Sequence, residues 1–299
     1  MAPSGHSLIS IHEDTDFFRE AVLFTAAQSG LGAALVEKDY FCSVLLDYFY
    51  QNEQCPLVFR GGTCLSKIYA DFYRLSEDLD FVISIASDAS RSKRSRTMVP
   101  VKEWVAKIPD EISGFELLGE MKGHNNSTQY IATVTYSSKA GIADELTKIK
   151  IEVGLREELL HSAVIGRART LLMDPFKRIT AVPEFDLITM TLLEAYAEKL
   201  RAALTRRDPA VRDFYDVDYA AVYLNLDLKD PSLTELVMKK LKVPGNDPID
   251  ISPSRKVILE AQLETQLKSV LRPQDFEKFD LDRAFGLVAE VGSAVLTEE

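Results

Sequence analysis

A pair of glycines followed by two closely spaced aspartates constrains the fold of this chain more than any other segment. The dipeptide Gly61-Gly62 follows the apolar residues 57–59, and Asp78 and Asp80 stand at the start of a second apolar run. Alternate residues of a β-strand point to the same side, so both carboxylates would lie on one face of a strand. The segment predicts a strand at 57–59, a glycine turn that opens a helix through about Tyr73, and a second strand over 78–85.

The same segment combines two groups that bind phosphorylated ligands. Mg²⁺ prefers carboxylate oxygens and is usually shared with substrate phosphates, and backbone N–H groups at a glycine turn before a helix bind phosphates directly. The segment therefore predicts nucleotide chemistry. Four further side chains lie within reach of the turn or of the second strand and are candidate nucleotide ligands: Thr63, Ser66, Lys67 and Ser76. A solvated helix position for Lys67 and a simple turn position for Ser76 stay open.

Glu152 is the candidate for a third metal ligand, because two aspartates rarely hold both ions of a two-metal site. It lies in the alternating segment 148–153, which would turn its apolar residues to the core and Lys150 and Glu152 to the other side. In a sheet, Glu152 could project beside Asp78 and Asp80. The alternative is an exposed strand residue that is paired with Lys150.

Two charged residues of the C-terminal half are further candidates. A helix over 188–204 would place Lys199 on an apolar edge. There it would either neutralise a triphosphate or extend along the apolar surface to water. Asp213, on the next helix, is expected to point toward packed surface near Lys199, and both a structural tie between helices and a catalytic role stay open. Asp216 and Asp218 are expected at solvated helix positions.

Composition excludes several classes of protein. The net charge of −11 argues against a general nucleic-acid binder, because phosphate neutralisation needs clustered lysine and arginine. The four histidines and three cysteines lack the spacing of zinc ligands or of a catalytic triad, and the cysteines are expected to be reduced thiols. The first residues lack a signal-peptide pattern, and no apolar run is long enough to span a bilayer. A cytoplasmic protein without a membrane partner is therefore expected.

A basic stretch runs against the overall charge. Six cations follow the predicted aspartate strand: Arg91, Lys93, Arg94, Arg96, Lys102 and Lys107. The stretch is expected to form either a solvated, mobile surface loop or a contact for a polyanionic acceptor. The stretch becomes a candidate contact for an acceptor if its cations lie beside a phosphate-handling site.

The predicted fold class is α+β. Helices at 13–28, 32–51 and 100–108 and strands at 115–121, 129–136 and 148–153 accompany the glycine segment. From about Ile188 the pattern is helical, with helix starts at Asp208-Pro209, Asp230-Pro231 and Ser252-Pro253 and a breaker at 244–248. These elements predict a small mixed sheet flanked by helices in a domain over 1–180, an all-helical domain over 181–299, and a substrate cleft between them.

Together these motifs resemble the nucleotidyltransferase toxins of the AbiEii family, including its MenT-type members, which belong to bacterial toxin–antitoxin and abortive-infection systems. The resemblance covers about residues 35–220. It rests on segments that occur in family order: 37–40, 59–67, 76–81, 148–153, 196–200 and 212–216. The combination is specific, although no single segment is.

The resemblance implies a DNA-polymerase-β-like minimal nucleotidyltransferase domain with a helical C-terminal domain. Gly61-Gly62 would bind the phosphates, Asp78 and Asp80 the metal, and Lys199 and Asp213 would form the essential pair of the later motifs. Family members transfer nucleotides to acceptors such as the 3′ end of tRNA until an antitoxin intervenes, so an NTP, tRNA and an antitoxin are the expected partners.

With Glu152 as third ligand, the expected reaction depends on two Mg²⁺ ions. Two alternatives stay open: phosphotransfer to a protein side chain, such as the chain's own Ser76, and a nucleotide-binding regulatory module without catalysis.

Overall fold

The computed structural model describes residues 8–52 and 54–298, so His6 lies outside the described part. The chain divides into two compact units. The first comprises Met1–Leu159 and Ala163–Thr189, and the second comprises Leu160–Ser162 and Met190–Glu299. Within the described residues, no helix combines the length and the apolar character that crossing a lipid bilayer requires.

The first unit is built on one mixed sheet. In the described residues it has eight strands: β1 Val58–Arg60, β2 Leu79–Val82, β3 Phe115–Leu117, β4 Lys122–His124, β5 Gln129–Tyr136, β6 Thr147–Gly154, β7 Val164–Ala168 and β8 Phe185–Thr189. Their order is β3-β5-β6-β2-β1-β8-β7, and β4 pairs with β5. The pairs β2–β6 and β1–β8 are parallel, and the others are antiparallel. The predicted α+β class is confirmed, with more strands than the sequence indicated.

Five helices accompany this sheet in the described residues: α1 Thr15–Ser29, α2 Ala33–Tyr50, α3 Gly61–Cys64, α4 Arg91–Thr97 and α5 Val99–Glu111. Asp14 caps α1 by accepting a hydrogen bond from the Phe17 N–H, and Gly30 ends it in the left-handed conformation with a φ of 73°. The predicted helices at 13–28 and 32–51 are confirmed as α1 and α2. The core is rich in aromatic side chains, which α2 and the sheet both supply.

Helix α2 carries three successive charged residues that fasten distant parts of the first unit. Glu37 is buried and accepts hydrogen bonds from the Ser138 hydroxyl and from the backbone N–H groups of 139 and 140, at 2.7–3.0 Å. Lys38 forms an ion pair of 2.9 Å with Glu77. Asp39 is buried and pairs with Lys67. Since charges are seldom buried unless they are paired, α2 serves as an internal anchor rather than as a simple apolar layer.

Several predicted boundaries in the first unit are wrong. The helix that Gly61 opens continues only as one π-turn over Leu65–Tyr69, because Asp71 and Phe72 have left-handed φ values of 47° and 54°. Strand β2 is shorter than the predicted 78–85. The basic stretch is not a loop. Its first part is helix α4, which Ser90 caps by accepting a hydrogen bond from the Lys93 N–H.

The second unit is helical throughout its regular structure, as predicted. Within the described residues its helices are α6 Leu192–Thr205, α7 Val211–Tyr223, α8 Pro231–Leu241, α9 Pro253–Glu260, α10 Pro273–Lys278 and α11 Leu281–Glu298. The predicted starts at Asp230-Pro231 and Ser252-Pro253 are confirmed. The predicted start at Asp208-Pro209 is wrong, since α7 begins at Val211 with Ala210 as its N-cap. The helix predicted from Ile188 begins only at Leu192, because 185–189 form strand β8.

Candidate active site

A row of charged residues crosses three neighbouring strands of the sheet. Asp80 on β2 lies directly opposite Glu152 on β6 and opposite Arg60 on β1. Directly paired residues project from the same face of a sheet, so these three side chains share one face. Asp78 precedes β2 by one residue and is half exposed. The register therefore brings Asp80 and Glu152 together, as the sequence predicted.

The glycine turn lies against this row. Gly61 has a φ of 78°, and a Cβ added to it would lie 2.5 Å from Oδ2 of Asp80. A Cβ on Gly62 would lie 2.6 Å from Nη2 of Arg74 and 3.0 Å from the Ser76 hydroxyl oxygen. The first glycine is thus required by backbone conformation and by contact with Asp80, whereas a Cβ at the second would displace the end of the Arg74 side chain. Ser76 lies beside the turn, as predicted.

Two hydroxyl groups of the turn support the strand that carries the aspartates. Thr63 donates to the carbonyl oxygen of Asp78, and Ser66 donates to the carbonyl oxygen of Arg74 at 2.7 Å. Both side chains are buried. A hydroxyl has one hydrogen to donate, and here it is directed to the backbone. In this structure Thr63 and Ser66 position the 74–78 segment, and donation from these hydroxyls to nucleotide phosphates stays a prediction.

Lys67 is an interior residue rather than a nucleotide ligand or a solvated lysine. Its side chain is fully buried. The ammonium Nζ lies 2.6 Å from Oδ1 of Asp39 and 2.8 Å from the Ser43 hydroxyl oxygen, and it also donates to the Asp39 carbonyl. An ammonium has three hydrogens, and these contacts use them. Both sequence interpretations of Lys67 are therefore corrected, and its role is to join the π-turn after Gly61 to α2.

The charges of the row shift one another's pKa. Burial raises the pKa of Asp80, while the Arg60 guanidinium lowers it and the Glu152 carboxylate raises it, and the net direction is upward. Burial also raises the pKa of Glu152. A hydrogen bond from Gln129 at 2.7 Å and the charge of Lys150 lower this pKa by more than burial raises it. The net direction for Glu152 is downward. The pKa values of the two facing carboxylates are therefore shifted in opposite directions.

Lys150 brings a second cation to the carboxylates. Its Nζ lies 3.1 Å from Oε2 of Glu152 and 3.9 Å from Oδ2 of Asp78. Burial lowers the pKa of Lys150 and the Glu152 carboxylate raises it, with a net upward direction. The pairing of Glu152 with Lys150, which the sequence left as the alternative to metal binding, is thus present. Half-exposed Asp78 and Lys150 can both change rotamer at little cost.

The donor chemistry of this face suits a hard cation, since its acidic ligands are all carboxylate oxygens. However, no group of three His, Cys, Asp or Glu side chains is arranged to hold a metal ion anywhere in the described ranges. Lys150 instead lies within reach of Asp78 and Glu152. The residues fit a divalent ion only if this ammonium moves away.

The basic stretch after β2 divides between the interior and the surface. Arg94 is buried and donates to the carbonyl oxygens of Leu155 and Ser87. Arg91, Lys93 and Arg96 are exposed on α4. Three of the four cations on α4 therefore stay available for a polyanion, whereas Arg94 holds the helix in place.

In the second unit, Lys199 and Asp213 form an ion pair, which is the tie between helices that the sequence left open beside a catalytic role. Nζ of Lys199 lies 2.9 Å from Oδ1 of Asp213 and 2.9 Å from Oδ2 of Asp216, and Arg206 approaches Asp213 at 2.9 Å. Burial raises the pKa of Asp213, whereas Lys199 and Arg206 lower it, and the net direction is downward. The pair joins α6 to α7, and the structure gives Lys199 a polar partner rather than an apolar edge.

The expectation that Asp216 and Asp218 are solvated is wrong. Both side chains are buried. Asp216 pairs with Lys199, and Asp218 accepts two hydrogen bonds from the Arg283 guanidinium at 2.6 and 2.8 Å. The partner of Asp218 lies on α11, far along the chain, so no local pattern could have indicated this burial.

Sequence reasoning also missed two cations of the first unit. Arg60 stands directly before the glycine pair, and its Nη2 lies 3.2 Å from the position that a Cβ on Gly154 would take. Its place at the end of a strand that leads into the turn was the available signal. Lys38, which pairs with Glu77 next to Asp78, offered no signal beyond its place in the 37–40 motif.

Comparisons with known proteins decide the family. The family model described as the nucleotidyl transferase AbiEii toxin of type IV toxin–antitoxin systems matches residues 44–289. This chain belongs to the AbiEii nucleotidyltransferase toxin family. No curated protein matches the sequence.

Solved structures with an overall likeness to this AbiEii protein are distant. The nucleotidyltransferase toxin MenT4 from Mycobacterium tuberculosis is 16% identical, with a TM-score of 0.49 over 96% of this chain and 99% of its own. JHP933 from Helicobacter pylori is 14% identical, with a TM-score of 0.44 over 98% and 94%. The family match thus identifies a nucleotidyltransferase toxin that uses an NTP and has an antitoxin partner.

Proposed function

We propose that this AbiEii protein transfers a nucleoside monophosphate from an NTP to the 3′ end of tRNA in a Mg²⁺-dependent reaction. The observation that carries the proposal is the placement of Asp80 directly opposite Glu152, with Gly61 packed against Asp80. A phosphate-binding turn in contact with paired carboxylates is what nucleotidyl transfer requires.

In the proposed reaction, the acceptor hydroxyl gives its proton to solvent and attacks the α-phosphorus, and the bond from that phosphorus to the leaving pyrophosphate breaks. Asp78, Asp80 and Glu152 would hold Mg²⁺, which would supply charge neutralisation for the phosphates and activation of the hydroxyl. Gly61-Gly62 and Ser76 would orient the triphosphate with backbone N–H groups and a hydroxyl. This assignment uses two Mg²⁺ ions, in keeping with the three carboxylates.

Lys199 and Asp213 would act in the same reaction from a helical domain over 181–299, which follows a nucleotidyltransferase domain over 1–180 in the sequence. Lys199 would neutralise phosphate charge, and Asp213 would fix its ammonium, a pairing supported by their 2.9 Å contact. The exposed cations of α4 support a polyanionic acceptor such as tRNA.

The test is to incubate the full chain with α-phosphate-labelled NTPs, Mg²⁺ and total tRNA. We expect label on RNA, and we expect Asp80→Asn and Glu152→Gln to abolish it while Asp186→Asn leaves it unchanged. Asp186 is a matched control because it is a strand aspartate of the same sheet with a 70% exposed side chain. Label on protein alone would refute the tRNA assignment, and equal labelling by Asp80→Asn would refute the site.

A second candidate is phosphotransfer from the NTP to Ser76. It is favoured by the position of the Ser76 hydroxyl oxygen, 3.0 Å from where a Cβ of Gly62 would lie. Here the hydroxyl oxygen would attack the γ-phosphorus and release the nucleoside diphosphate. Label from the γ-phosphate on the protein, lost in Ser76→Ala, would support this candidate, whereas label from the α-phosphate supports nucleotidyl transfer.

A further inference from the structure

The carboxylate face of the first unit already contains a cation of its own. Lys150 and Glu152 are two residues apart on β6, so they project from the same face, and Glu152 lies directly opposite Asp80. The Lys150 ammonium lies 3.1 Å from Glu152 and 3.9 Å from Asp78. It thus contacts two of the three carboxylates assigned to metal binding.

We propose that Lys150 is a built-in competitor of the divalent cation, which holds Asp78 and Glu152 together in the metal-free protein and sets the affinity of the site for metal. The inference rests on the proposed function, because it concerns the same carboxylates. Metal binding and the Lys150 contacts exclude each other, since both use the same carboxylate oxygens.

The surroundings of Lys150 allow such an exchange. Its side chain is 40% exposed and that of Asp78 is 45% exposed, so both can turn toward water, whereas Glu152 is only 17% exposed. Gln129 also holds Oε1 of Glu152. Glu152 is therefore a fixed ligand, and Lys150 is the group that moves. Arg60, the other cation of the row, contributes to the pKa of Asp80 and is not displaced in this scheme.

Removal of the competing ammonium should tighten metal binding. Exposed ion pairs are weak, so Lys150→Met should lower the Kd for a divalent ion about two- to fivefold. The matched control is Lys148→Met, which removes an exposed lysine from the same face of the same strand, two residues away. Lys148→Met makes the same change in net charge, so it shows how much of any change in the metal Kd comes from long-range electrostatics alone.

The experiment is a Mn²⁺ titration of the full chain followed by electron paramagnetic resonance of the free ion, without nucleotide or acceptor. Urea unfolding followed by Trp104 fluorescence shows whether each variant is folded. We expect tighter binding in Lys150→Met, wild-type binding in Lys148→Met, and loss of the gain in Lys150→Met/Glu152→Gln.

Each other result has a definite meaning. Equal binding by wild type and Lys150→Met, with binding lost in Asp80→Asn, would overturn the role of Lys150 and leave the proposed function intact. Equal tightening by Lys148→Met would also overturn it, because net charge alone would explain the gain. No Mn²⁺ binding in any variant would overturn both this inference and the metal site of the proposed function.

Discussion

Substitution of Lys67 by methionine should destabilise the first unit more than any surface change. Methionine keeps the length of the side chain but removes the ammonium that pairs with Asp39 at 2.6 Å and bonds to Ser43 at 2.8 Å. Lys67 is fully buried and Asp39 is 3% exposed. The substitution therefore leaves a carboxylate in the interior without its cation.

Loss of one partner from a buried ion pair costs about 3–5 kcal/mol. For a unit of this size, that corresponds to a fall in Tm of about 6–20 °C. The Asp39→Asn/Lys67→Met double variant removes both charges and keeps a side-chain oxygen that can accept from the Leu171 N–H, which now bonds to Asp39. It should be more stable than Lys67→Met by about 1–2 kcal/mol, since no unpaired charge is left.

Urea unfolding followed by tryptophan fluorescence measures the stability of the first unit, which contains Lys67. The chain has one tryptophan, and Trp104 lies on α5 and packs against the core of the first unit. Lys107→Met, an exposed lysine on the same helix, is the control and should change stability by no more than about 0.5 kcal/mol. A loss below 1 kcal/mol in Lys67→Met, or strict additivity in the double variant, would refute the reasoning.

Three further results are expected. Gly61→Ala should abolish nucleotide transfer, because the added Cβ would lie 2.5 Å from Oδ2 of Asp80 and the φ of Gly61 is 78°. Residual activity above about 10% of wild type in the labelling assay would contradict the close contact. The three cysteines should resist a disulfide reagent at pH 8 and react in denaturant, because all three are buried. Burial raises the pKa of Cys55 to about 11 and the pKa values of Cys42 and Cys64 to about 12. Fast reaction of the native protein would contradict this. Arg283→Met should lower the thermal stability of the helical unit by about 1–3 kcal/mol, because Asp218 is left buried without its guanidinium, and Asp218→Asn/Arg283→Met should recover part of that loss in calorimetry.

The sequence predicted the elements whose signals are local. The alternation in 148–153 predicts β6, and the spacing of Asp78 and Asp80 predicts the face of β2. Strands β7 and β8 were missed because each has an isoleucine, Ile165 or Ile188, among its outward residues. Ile165 is 73% exposed and lies directly opposite Ile188, so neither strand alternates clearly. Helix α4 was missed because its basic residues leave no apolar stripe, although the Ser90 cap was visible.

Charged residues with distant partners were the hardest to place. Asp218 and Arg283 are 65 residues apart, and Lys67 and Asp39 are 28 apart. A charged residue without a visible partner is expected in water, and only the folded chain shows that the partner exists. By contrast, the pairing of Lys199 with Asp213 could be predicted, because the two residues lie 14 apart on consecutive helices.

The three charged anchors of α2 lie before the segment that the family model matches. The family model begins at residue 44, after Glu37, Lys38 and Asp39. A fragment cut at that point would leave Lys67 in the interior without Asp39 and would remove Lys38, the ion-pair partner of Glu77. Such a fragment should misfold even though it contains nearly every recognisable motif. The smallest fragment that folds should therefore begin before Glu37, although the family match begins at residue 44.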